Sequence, residues 1–175
     1  MVSVPRSVFK AQFRDALVFW LYLPAAVIGG GWGIDVLLHL PPVPTPPGHP
    51  ITGAGVALLT GGVLLVMKTI RDLKRFGHGT PNPQAPPREL VTEGSYALCR
   101  HPMFFGYDLA ALGVVLLFHS WGMLLVTYPL LLFGQIPILR KEEARLVRRF
   151  GARYRAYQAG VPFLLPFLPT RKNSP

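Results

Sequence analysis

Every lysine and arginine of this chain lies within residues 6–14, 68–100 or 140–172, and the intervals between those segments are long and apolar. That distribution leaves few folds open. Residues 16–40 hold only Asp35 and His39 as candidate charges, enough length to cross about 30 Å of hydrocarbon at about 1.5 Å per residue. Residues 52–67 are charge-free but shorter, so Ile51 and a snorkelling Lys68 are needed to reach both interfaces. Residues 102–118 and 121–139 form two further apolar runs with only His119 and Ser120 between them. So short a connection implies an antiparallel helical hairpin. The expectation is an all-α, multi-pass membrane bundle forming a single integral-membrane domain over residues 1–175. Its four spans fall at about 16–40, 51–68, 102–118 and 121–139, followed by a C-terminal cytoplasmic amphipathic helix.

The formal net charge of +10 raises the question of nucleic acid, and the positions of the cations answer it. With four spans the three basic segments fall on one side of the bilayer, as the positive-inside rule requires of the cytoplasm. The loops 41–50 and 119–120 fall on the other. Basicity is therefore topology plus attraction to anionic headgroups, with the lipid bilayer as the partner and no nucleic acid. The first apolar run follows Arg6, Lys10 and Arg14 but is too long for a signal core and lacks a small-residue cleavage site, so it is kept as a span. The one cysteine, Cys99, excludes an intrachain disulfide and reads as a packed, unreactive thiol.

Residues 1–15 place Val8, Phe9 and Phe13 at roughly helical spacing among cations, which suits an interfacial anchor. Gly29, Gly30, Gly31 and Gly33 resemble a phosphate loop only superficially, since no strand precedes them; close helix packing accounts for them better. Gly53, Ala57 and Gly61 repeat every four residues and are expected to press a flat face against a neighbouring helix. The prolines of residues 41–47 make a stiff polyproline-like connection without chemistry. Asp35 and Asp108 lie in apolar runs, where an ionisable group is a functional candidate by default. Asp108 stands seven residues after His101 on the same helix face, so lining a site and making a structural polar contact are both open. Histidines 39, 49, 78, 101 and 119 show no ligand spacing, and no metal is expected.

Two patches carry the chemistry. In the first, Leu90 to Gly106, Thr92-Glu93-Gly94-Ser95 reads as a turn. Arg100-His101-Pro102 reads as a helix entrance, with Pro102 in the first turn where its missing N–H costs nothing. Taken alone, Arg100 and His101 fit a snorkelling pair at a helix end. The second patch holds Glu142-Glu143, Phe150-Gly151, Tyr154, Tyr157, Val161-Pro162 and Pro166. On one continuous helix Glu143, Leu146, Val147, Phe150, Tyr154 and Tyr157 share a stripe, which puts Glu143 on the apolar face with Arg140 as its local pairing option. Glu142 has an ordinary partner in Arg145.

The two patches, in this order around one hydrophobic hairpin, resemble the isoprenylcysteine carboxyl methyltransferase family within the wider phospholipid methyltransferase group. Gly79-Thr80-Pro81-Asn82-Pro83 and Pro86-Pro87 before Leu90-Val91 look like its bacterial branch. The resemblance implies an S-adenosylmethionine-dependent methyltransferase of a bacterial inner membrane, with both termini and the site on the cytoplasmic side and the cofactor held by about 77–106 and 140–166. It places cofactor contacts on Glu89, Leu90, Val91, Tyr96, His101, Pro102, Met103, Phe104 and Glu142, and catalytic roles on Arg140 and Glu143. Phe104 stands where the family usually has tyrosine, and Arg140 lies slightly closer to the acid pair than in eukaryotic relatives. The acceptor would be lipophilic: the carboxylate of an isoprenylcysteine-like substrate, a phospholipid amine or a small thiol. Outside that class, a four-span transporter is argued against by the absence of an internal repeat, and a non-catalytic adaptor would bind no cofactor.

Overall fold

A computed structural model describes residues 21–44, 50–80 and 86–166. The interfacial segment 1–15, the start of the expected first span, the middle of the proline-rich connection and Pro81-Asn82-Pro83 lie outside the described residues. Every regular element among the described residues is helical. Helix α1 is Leu23–Leu37, α2 is Pro50–Gly77, a 3-10 turn covers Gly94–Ala97, and α3 is Pro102–Phe118. A π-helical stretch, Met123–Thr127, leads into α4, Tyr128–Phe150, and α5 is Ala152–Gly160.

Two helices are long and apolar enough to cross a membrane, Pro50–Gly77 and Met123–Phe150. Leu23–Leu37 and Pro102–Phe118 are shorter apolar helices. Large apolar side chains such as Trp32, Leu64, Leu130 and Phe133 are exposed, while Asp108, Gln135, Thr69 and Ser120 are buried. A bundle solvated by lipid hides its polar groups in this way, because hydrocarbon offers them no partner.

The described residues fall into two compact units. In the first, residues 21–56 and 111–131, α1 lies against the π-helical stretch. A side chain at Gly31 would collide with Met123, whose own side chain is fully buried. Val27, Val115 and Met123 form the core there. The backbone N–H of Gly122 donates to Asp35 Oδ1 at 2.7 Å, and the Thr127 hydroxyl donates to the Val27 carbonyl at 2.9 Å. Asp35 thus satisfies an N–H at a helix start, where no intrahelical acceptor exists. The hairpin turn is closed by Ser120, whose Oγ accepts from the Met123 N–H at 3.0 Å.

In the second unit, residues 57–110 and 132–166, α2 and α3 touch through glycine. A Cβ on Gly62 would stand 2.5 Å from the Gly106 carbonyl oxygen and from the Ala110 nitrogen. Across the hairpin, Gln135 Nε2 donates to Asp108 Oδ2 at 2.8 Å, so a structural polar contact is what this buried acid makes.

Two expectations are corrected here. The Gly53, Ala57 and Gly61 face is exposed, with nothing within 4 Å of a Cβ at either glycine. The packing glycines are Gly55, 3.1 Å by the same measure from the Gly113 carbonyl oxygen, and Gly62. Seven residues return to the same side of a helix, and that side lies about half a turn from the 53, 57, 61 row. The C-terminal amphipathic helix is also broken: α4 stops at Phe150, and α5 restarts after Gly151, whose φ of 56° suits glycine.

Candidate functional site: an ionic cluster at the start of α3

The second unit assembles the segment before α3 from both directions. At its start, Arg88 N–H donates to the Gly77 carbonyl at 2.7 Å and Glu89 N–H to the same oxygen at 3.4 Å. This folds the chain back over the end of α2 and buries Val91 beside Gly77. Leu90 is partly buried and Glu89 is exposed. The chain then turns at Gly94, with a φ of 64° against the carboxylate of Asp72. Within the 3-10 turn, the carbonyl of Tyr96 accepts the Tyr157 hydroxyl at 2.6 Å.

Arg100 ties this loop to the C-terminal elements. Its backbone N–H donates to the Pro162 carbonyl at 2.8 Å, and its Nη1 donates to the Gln158 carbonyl at 2.9 Å. Its Nε lies 2.8 Å from Glu143 Oε1. That last contact is an ion pair whose N–H is not aligned for a hydrogen bond. The same carboxylate oxygen accepts the Tyr154 hydroxyl at 3.3 Å and stands 3.6 Å from His101 Nε2. Three groups therefore converge on one oxygen.

The His101 ring is 5% exposed. It meets Phe163 edge-on at 5.0 Å and Phe104 at 6.4 Å between centroids. Arg100 lies over the Phe163 ring at 5.5 Å. His101 Nε2 is buried without a hydrogen-bond partner, a condition that a native fold rarely leaves unanswered. Pro102 is fully buried beneath the first turn of α3, and Met103 and Phe104 are partly buried.

Burial pushes the Cys99 thiol up to about 11, partly offset by the His101 backbone N–H. It also raises Tyr96, helped by the negative charge of Glu142, and Tyr154, helped by that of Glu143. Both phenols stay neutral donors over any physiological range. Glu142 thus acts electrostatically on Tyr96, another of the expected site residues.

Of the residues expected from the sequence, His101, Pro102, Phe104 and Glu143 stand together, while Tyr96 is tied by its carbonyl to Tyr157 and Glu142 acts on it electrostatically. Arg140 does not join. It is exposed and makes no ion pair among the described residues. Glu143 takes Arg100 in place of the local partner that a three-residue step had offered. Sequence reasoning missed Asp72, Gln158 and Phe163. The first sits on the polar end of α2 with Lys68 one turn back, an ordinary surface pattern that hides its long-range role; the second acts through its carbonyl, which no side-chain pattern reveals.

The fold and cluster define a class: a helical membrane protein with a buried ionic site built around the start of one helix and the end of another. A family model described as phospholipid methyltransferase matches residues 51–153, and the chain belongs to that family. It is 33% identical over 112 residues to the protein-S-isoprenylcysteine O-methyltransferase of Schizosaccharomyces pombe, covering 64% of this chain and 48% of that protein. It is 30% identical over 123 residues to the Xenopus laevis protein of that name, covering 69% and 42%. The human protein of the same name is 33% identical over 96 residues, covering 53% and 33%. The chain thus spans less than half the length of the curated relatives it matches. No solved structure matches it.

Proposed function

We propose that this chain is an S-adenosylmethionine-dependent methyltransferase that works at the membrane on a lipophilic acceptor, the carboxylate of an isoprenylcysteine-like molecule. The observation that best supports this reading is the contact of Arg100 Nε with Glu143 Oε1 at 2.8 Å. It joins the two patches that carry the family resemblance, and it does so beside a buried histidine nitrogen that makes no hydrogen bond and faces the same carboxylate oxygen.

The residues present suit the cofactor's groups. His101 Nε2 is a buried polar atom without a hydrogen bond, 3.6 Å from Glu143 Oε1, and Glu142 is a partly exposed carboxylate that acts electrostatically on Tyr96. Such a set fits a ligand with its own carboxylate, ammonium and sulfonium. Bound there, S-adenosylmethionine supplies a methyl group already activated by positive sulfur. The protein's work is then to exclude water, hold charge and align the acceptor. In this reading His101, Tyr96, Pro102, Met103 and Phe104, with Glu89, Leu90 and Val91 at the loop's start, wall the cofactor. Glu142 balances its positive charge, and Glu143 keeps Arg100 and His101 in place. Arg140, exposed on α4, steers an anionic acceptor toward the site.

The reading includes four crossings, the two shorter apolar helices completing the bundle, and both termini on the cytoplasmic side of a bacterial inner membrane. The confinement of cations to residues 6–14, 68–100 and 140–172 supports it. The description of the matched family favours one alternative acceptor, a phospholipid amine. Product analysis separates the two. The full chain in lipid nanodiscs is supplied with isotope-labelled S-adenosylmethionine and, in turn, a farnesylated cysteine, phosphatidylethanolamine and an alkyl thiol. Labelled methyl ester on the first is the expected result. Methylated amine or thioether alone would replace the acceptor, and no transfer to any of the three would sink the reading.

A further inference from the structure

Asp72 lies on the polar extension of α2, and everything about its surroundings turns it toward the loop before α3. Its Oδ2 accepts the backbone N–H of Ser95 at 2.7 Å, a buried bond, and Lys68 Nζ at 2.9 Å from one turn below. The Lys68 side chain is 56% exposed while that of Asp72 is 12% exposed, so the lysine bridges from solvent to a nearly buried carboxylate. Gly94 is fitted to the same group: a Cβ there would stand 2.5 Å from Oδ2 and 2.8 Å from Cγ, and its φ of 64° is one that L side chains rarely adopt.

The chemistry of the turn explains why a distant carboxylate is needed. Ser95 is the second residue of the 3-10 turn Gly94–Ala97, and the N–H groups of a helical first turn have no acceptor within their own element. The cap position, Glu93, is extended and makes no side-chain cap bond. The job of satisfying the Ser95 amide therefore passes from the neighbouring side chain to Asp72. The Ser95 hydroxyl is buried too and, although it makes no well-formed hydrogen bond, it acts on the same Asp72 carboxylate, so the backbone bond is the well-formed polar anchor of that residue. From this anchor the chain runs through Tyr96, whose carbonyl is held by Tyr157, to Arg100 and His101.

We propose that Asp72 is a positioning residue for the cofactor loop, acting through the Ser95 N–H to set where Tyr96, Arg100 and His101 stand. The claim rests on the methyltransferase reading for its functional consequence, although the anchoring itself does not. A charged acceptor on a buried amide is among the stronger hydrogen bonds, and its loss leaves that amide unpaired.

The test uses full-length protein in nanodiscs and S-adenosylhomocysteine as the probe, with hydrogen exchange of residues 94–101 followed in parallel. Asp72→Ala is expected to weaken binding by about tenfold or more and to speed exchange of those amides, with α3 and α4 still protected. Asp72→Asn, which keeps an oxygen for the Ser95 N–H, is expected to recover most of the affinity. Wild-type binding and wild-type exchange in Asp72→Ala would overturn the proposal. If that variant does not fold, Asp72→Glu decides, because it keeps the charge and drives the carboxylate into Gly94. Weakened binding then supports the proposal, and unchanged binding defeats it. A wild-type protein with no affinity for the probe would overturn the cofactor reading alone, leaving the exchange of residues 94–101 to judge the anchoring.

Discussion

Arg100 Nε and Glu143 Oε1 meet at 2.8 Å, with side chains only 13% and 14% exposed. One residue stands just before α3 and the other near the end of α4, so the pair fastens the loop to the far helix. Arg100 also holds two carbonyls of the C-terminal segment, and Tyr154 donates to the same Glu143 oxygen. Removing either partner leaves the other charge in a nearly closed site, where water can do little for it.

Arg100→Ala and Glu143→Ala are each expected to cost about 2–3 kcal/mol of stability, read as a drop in thermal midpoint in nanodiscs. The double variant is expected to lose less than the sum, with a coupling above about 1 kcal/mol in a double-mutant cycle. Simple additivity would mean that the pair contributes nothing.

Glycine substitutions separate the two faces of α2. Gly62→Ala places a methyl group against backbone on α3 and is expected to destabilise by about 1–3 kcal/mol. Gly53→Ala and Gly61→Ala meet open space and are expected to be neutral or to gain up to about 1 kcal/mol from helix propensity. Equal losses at all three positions would place the packing face wrongly.

Cys99 is fully buried, and burial pushes its thiol up to about 11 from an ordinary 9.0. The native thiol therefore keeps its proton where an unfolded chain would release it. Between those two values stability contributed by this group falls as pH rises. At about pH 8 native protein is expected to resist maleimide for as long as it stays folded, and denatured protein to react at once. Fast labelling of the native state would contradict the burial.

Arg140 gives the opposite expectation from Arg100. Being exposed, Arg140→Ala is expected to change stability by less than about 0.5 kcal/mol. If it steers an anionic acceptor, the variant raises KM for a carboxylate substrate and flattens its salt dependence while leaving kcat in place. A wild-type KM would remove it from the proposed machinery.

How much of this was readable in advance depends on the range of each interaction. The apolar runs were legible because length and charge alone mark them, and α2 and α4 carry them through. Which face of α2 packs was not, since Gly53, Gly61, Gly55 and Gly62 form two small-residue rows and only the neighbouring helix chooses between them. Glu143 was legible as an inward acid from its helical stripe. Its partner was not, because Arg140 offered a local pairing while Arg100 arrives from a distant segment. Asp72 had Lys68 one turn away, an explanation complete enough to conceal the Ser95 amide. The break after Phe150 hung on the backbone of a single residue, Gly151, with a φ of 56°, inside an otherwise unbroken amphipathic pattern.

The most direct test of the account is calorimetric titration of S-adenosylhomocysteine into the full chain in nanodiscs, comparing wild type with His101→Ala and Glu142→Ala. Saturable binding that weakens by about tenfold or more in both variants, with melting behaviour retained, is the predicted result. A folded wild-type protein that binds no S-adenosylhomocysteine in lipid, or variants that bind it as wild type does, would contradict the proposed site.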